Sequence, residues 1–182
     1  MNYNDALELM HEYTKSEALR KHMYAVEAAM RAYAQKFGED EEKWAIVGLL
    51  HDFDYEMYPN APDHPMKGSE ILQEKGYSEE IRRAILGHAT YSGVPRDTKM
   101  AQVLFACDEL CGFITACAVI RPNKIADLEV SSVKKKLKAK GFAKNVNRDD
   151  ITVGITELAI PLDEHVQFVI NAMRGSAARL GL

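Results

Sequence analysis

The stretch WAIVGLLHDFD, residues 44–54, decides how this chain is read. An apolar helix is expected from about Glu41 to Leu50, and it runs directly into the adjacent pair His51 and Asp52. The segment that follows, DFDYEMYPNAPDHP (residues 52–65), is punctuated by proline and cannot continue as one helix. The pair therefore sits at a helix end.

Upstream, Leu19, Met23, Val26, Met30, Tyr33 and Phe37 recur at steps of four and three, which predicts a helical stripe over residues 16–37 with His22 on its flank. Ser16 suits its cap and Gly38 its stop. Downstream, Pro65 suits the first turn of a third helix reaching about Lys75, which leaves His64 just outside its start. A fourth helix opens after Ser78, and Ile81, Ile85 and His88 on it define an inward stripe. Thr98 to about Ile120 reads as a long buried helix carrying Asp108 on the face of Leu104, Cys111 and Thr115. Beyond Arg121 and Pro122 the pattern turns amphipathic and basic (VSSVKKKLKAKGF, residues 130–142), and two more helices are expected near residues 148–158 and 162–173. No strand or internal repeat is found, so the expected fold is an all-α bundle.

With 182 residues, 47% hydrophobic and 27% charged, the chain supports one substantial core and contains no linker that would divide it. A single domain over residues 1–182 is expected, with a metal-binding core at about 16–120 and a helical extension at about 121–182. The formal charge of −4 argues against a nucleic-acid or acidic-membrane partner. No signal peptide or stretch approaching a membrane span is read, so the cytoplasm is the expected location. Cys107, Cys111 and Cys117 lack CxxC spacing and read as small buried side chains.

A single inward histidine is usually a hydrogen-bonded core residue. Here His22, His51, Asp52, His64, His88 and Asp108 all lie on inward faces or at helix ends, and burying so many ionisable groups is costly unless something satisfies them. Divalent iron, manganese, cobalt, nickel or zinc does so, and six ligands suggest two ions. Two such ions can share a carboxylate, activate a water and clamp a phosphoryl group.

The order His22, His51–Asp52, Asp108 resembles the H…HD…D signature of the HD superfamily, across residues 16 to about 120. With His64 from DHPMKG and His88 from LGHAT, the chain is similar to the binuclear branch and to HDIG-type diadenosine tetraphosphate hydrolases. The resemblance implies that His22, His51, Asp52 and Asp108 hold one ion. Asp52 would bridge to a second, held by His64 and His88, with the bridging hydroxide as nucleophile. The chain reads HDFD in place of HDIG, and it lacks the lysine of the HD-GYP loop, which argues against a cyclic dinucleotide.

For substrate contact, Lys67 is placed either to reach the site as a catalytic cation or to be solvated. Lys134, Lys135, Lys136 and Arg148 read as a solvated face. Tyr55, Tyr58 and Tyr91 are candidates for an aromatic wall or for loop packing, and Asp54 and Glu56 are candidates for a general acid. His11 and His165 read as ordinary surface or helix residues. The leading expectation is a metal-dependent phosphohydrolase for a nucleotide or other small phosphoester, with self-association left open. The competing expectations are an HD-type diiron oxygenase and a nucleotide-binding sensor with little turnover.

Overall fold

The computed structural model describes residues 1–182, all helix and turn. Polar caps and apolar stripes fall together along the chain. Ser16 accepts from the Leu19 N–H and opens α2 (Glu17–Phe37), which stops at Gly38 in the left-handed conformation. Asp40 caps α3 (Glu41–Leu50) through the Lys43 N–H. Ser78 caps α5 (Glu79–Leu86), and Thr98 caps α6 (Lys99–Val119). Each such cap satisfies a backbone donor that the helix itself leaves unpaired, typically worth about 1 kcal/mol.

The sequence reading assigns no helix before Ser16, yet α1 (Tyr3–Tyr13) precedes it, opened by a reciprocal capping box between Asn2 and Asp5. Its buried residues Ala6, Leu9 and Met10 pack it against α3. The helix α4 (Asp63–Glu74) already includes His64, but His64 and Pro65 have non-helical backbone angles, so the regular helix begins after them. His88 lies two residues beyond the end of α5, not on it. The ring still points inward because Nδ1 is bonded to the Ile85 carbonyl.

Two 21-residue helices, α2 and α6, pack on each other and organise the rest. α3 lies along α2, and α5 and α8 (Arg148–Leu158) lie against α6. α7 (Val130–Leu137), α9 (Leu162–Gly175) and the short α10 (Ala177–Leu180) close the far side. One hydrophobic core runs from Ala6 to Leu180, including Met23, Val26, Met30 and Tyr33 of the α2 stripe. The three cysteines are buried and unpaired within it. By length and composition α6 passes as a membrane span, contrary to the expectation that no stretch approaches one; here its apolar surface is mostly buried by the other helices.

Gly154 fixes how closely α8 approaches α6. A Cβ there would lie 2.7 Å from the Ala106 Cα, a backbone atom that cannot yield. This close contact brings the start of α8 over the middle of α6, with consequences for the site below.

His165 is not a surface residue. It is fully buried on α9, with Nε2 2.9 Å from the Ala106 carbonyl and Nδ1 2.6 Å from the Tyr33 hydroxyl. Nε2 facing a carbonyl must donate, and because burial disfavours the charged ring, the phenol is the donor to Nδ1. Burial lowers its pKa, opposed in part by the Ala106 bond and reinforced by Lys36. The unfolded chain therefore takes up this proton at a higher pH than the folded one. The stability that His165 contributes is fully present above about pH 6.5 and is lost as pH falls below it. The melting-temperature gap between wild type and His165→Gln should narrow from pH 7 to pH 5; a constant gap would show that folding does not lower the pKa of this ring.

Candidate metal centre

The helix ends described above converge on one concavity. His22 projects from α2, His51 caps the end of α3, Asp52 follows it, His64 stands at the irregular start of α4, His88 follows α5, and Asp108 projects from the middle of α6. His22 Nε2 is 3.2 Å from His51 Nε2 and 3.0 Å from Asp108 Oδ1. His64 Nε2 is 3.2 Å from His88 Nε2.

Asp52 stands between these groups and divides its oxygens. Oδ2 lies 3.4 Å from His51 Nε2 and 3.7 Å from His22 Nε2, while Oδ1 lies 3.3 Å from His64 Nε2 and 3.4 Å from His88 Nε2. Bonds of about 2.1 Å to a metal give ligand–ligand edges of about 3.0 Å at right angles and about 3.4 Å at tetrahedral angles. The observed edges of 3.0–3.4 Å match, and only the His22–Asp52 pair, at 3.7 Å, is longer. Two clusters with metal-ligand spacing result, His22–His51–Asp108 and Asp52–His64–His88.

The imidazoles are aimed by their opposite nitrogens. His51 Nδ1 is 2.8 Å from the Gly48 carbonyl, and His88 Nδ1 bonds the Ile85 carbonyl. His64 Nδ1 is 2.8 Å from Asp54 Oδ1, whose other oxygen accepts the Gly68 N–H at 2.8 Å. Each of these contacts calls for a proton on Nδ1, which leaves the lone pair of Nε2 facing the cavity. Gly68 permits the arrangement, because a Cβ there would lie 2.6 Å from the Asp54 carboxyl carbon.

In the chain alone the carboxylates favour the charged form of two of the histidines. Burial opposes charging His51, but Asp52 and Asp108 overcome this and raise its pKa well above the ordinary value. His64 is also buried, yet its bonds to Asp52 and Asp54 raise it to about 9. Burial works against the Asp108 carboxylate, but His51 and His22 hold its pKa below the usual range. This donor set of neutral imidazoles and carboxylates, gathered at bonding distance, fits divalent transition metals.

Residues 19–112, more than half of the chain, match the HD domain when compared with known protein families. The chain belongs to the HD domain family. All six residues just described lie within the matched segment of this HD domain, a family made up largely of metal-dependent phosphohydrolases. Neither the comparison with curated proteins nor that with solved structures gives a match.

Other sequence candidates take different places. Lys67 is not among the residues lining the HD domain's cavity; its ammonium is held at 2.9 Å by Glu70 on the exposed side of α4. Asp54 is wholly buried and orients His64, and Glu56 accepts the Lys15 and Ser16 N–H groups at the entry to α2. Tyr55 and Tyr91 line the cavity and Tyr58 does not. Tyr91 also donates to the His64 carbonyl at 2.7 Å. His11 lies on α1 against the Tyr24 hydroxyl.

Phe105, Glu109, Asn147 and Asp150 complete the wall, and the sequence reading assigned none of them to it. Burial and the neighbouring Asp108 push the Glu109 carboxyl up to about 7, against the bond it accepts from the Asn147 N–H. Arg96 ties α8 to the turn bearing His88. It forks onto Glu157 at 2.6 Å twice and donates to the Gly87 carbonyl.

Proposed function

We propose that this HD protein is a phosphohydrolase that binds two divalent transition-metal ions and acts on a nucleotide or another small phosphoester. One ion is assigned to His22, His51 and Asp108 and the other to His64 and His88, with Asp52 bridging. The observation that carries this reading is the division of Asp52, whose two oxygens face the two clusters separately.

When bound, such a pair supplies a nucleophile near neutral pH and positive charge for the phosphoryl oxygens. The chain supplies the rest. Four Nε2 atoms and two carboxylates hold fixed positions, three of the imidazoles being locked from behind by hydrogen bonds. The cavity of about 400 Å³ is of a size for a small molecule, and Tyr55, Tyr91 and Phe105 give it aromatic walls suited to the body of an ester.

Protein loaded with manganese or cobalt under anaerobic conditions should release inorganic phosphate from a panel of nucleoside monophosphates and alkyl phosphates. Oxygen uptake by iron-loaded protein with no phosphate release from any ester would instead identify an oxygenase. Tight nucleotide binding without product would identify a sensor.

A further inference from the structure

A second cavity lies between α7, α8 and the start of α9, and it shares no residue with the cavity of the metal centre. Its volume is about 390 Å³, within the range of small-molecule sites. Leu137, Ile151, Ile155 and Leu162 give it an apolar surface. The hydroxyls of Thr152 and Thr156 on the same wall are spent on the Arg148 and Thr152 carbonyls one turn back. None of the four apolar side chains is among the large hydrophobic residues left exposed, so this surface is recessed and does not protrude as a membrane-inserting face would.

The surroundings are cationic. Lys134, Lys138 and Arg148 line the cavity, and from Lys134 to Arg148 the sequence holds seven basic residues and no acidic one, although the whole chain carries −4. Only part of this charge is balanced within the fold. Lys134 pairs with Asp163 at 2.7 Å, whereas Arg148 donates to the Leu137, Val146 and Phe142 carbonyls and meets no carboxylate. Lys138 is exposed and has no carboxylate partner. An apolar recess beside uncompensated cations is complementary to a ligand that is apolar along its length and negative at one end. We propose that this cavity binds a medium-chain carboxylate, its alkyl chain against Leu137, Ile151, Ile155 and Leu162 and its carboxylate at Lys138 and Lys134. A recess bounded by nine residues is small for a protein partner, which needs about 800 Å² from each side.

The test compares three probes on manganese-loaded full-length protein by calorimetry: octanoate, octylammonium and acetate. Octanoate should bind at one site, about tenfold more tightly than octylammonium, because the same cations attract one head group and repel the other. Acetate lacks the methylenes that the recess would bury and should bind about 100-fold more weakly or less. Lys138→Glu, a change at an exposed position, should bring octanoate and octylammonium to within about twofold of each other. Equal affinity of wild type for octanoate and either of the other probes overturns the proposal. So does a preference that Lys138→Glu leaves intact, which is the result expected if the carboxylate sits at the metal centre instead. Binding to vesicles of anionic phospholipid, with no binding of monomeric octanoate, would assign this face to a membrane surface and overturn it as well.

Discussion

Asp52→Ala is expected to remove both ions together and to lower turnover by about 10³-fold or more, because the nucleophile and the phosphoryl clamp are lost at once. The reason is geometric. Asp52 is the one side chain with oxygens within 3.4 Å of ring nitrogens in both clusters, Oδ2 towards His51 and Oδ1 towards His64 and His88. His88→Ala provides the contrast, since His88 faces only the second cluster and its loss should weaken mainly one ion. Metal content and phosphate release, measured on the same samples, check both. If Asp52→Ala kept two ions per chain, the carboxylate would not be a bridge.

Asp54→Ala should weaken the second ion by about 10- to 100-fold and leave the first little changed, as expected for a group that orients a ligand without binding the metal itself. Asp54 is wholly buried and accepts from both His64 Nδ1 and the Gly68 N–H. Its removal strands two buried donors, so the metal-free protein should also lose about 1–3 kcal/mol of stability. Chelator competition reads the first effect and denaturant unfolding of metal-free protein the second. Equal weakening of both ions would mean that Asp54 acts on the whole fold instead of on His64.

The ligand side of the centre is legible in the sequence because it is built from local signals. An apolar run ends in His51–Asp52, a proline-rich turn delivers His64, the end of the α5 stripe leads to His88 two residues on, and the long apolar helix α6 carries Asp108. Periodicity and capping locate these elements to within a few residues. The substrate side depends instead on long-range packing. Asn147 and Asp150 reach the cavity through the packing of α8 on α6, where Gly154 sits against Ala106, a contact spanning some fifty residues that no local pattern announces.

Glu109 was within sight, next to Asp108. Successive helical side chains diverge by about 100°, however, and adjacency alone does not show that both reach one cavity. For Lys67 a local signal was present, because Glu70 lies three residues on and a lysine and glutamate at that spacing pair along a helix. The buried role of His165 is also tertiary, set by Tyr33 and the Ala106 carbonyl from two other helices.

The most direct test of the account is the metal content of the protein, by elemental analysis, after reconstitution with manganese or iron and removal of excess ions. Two ions per chain in wild type is the predicted result, since two ligand clusters share one carboxylate. One ion per chain would contradict the bridged pair and leave His64 and His88 without a metal to hold; none would contradict the metal centre as a whole.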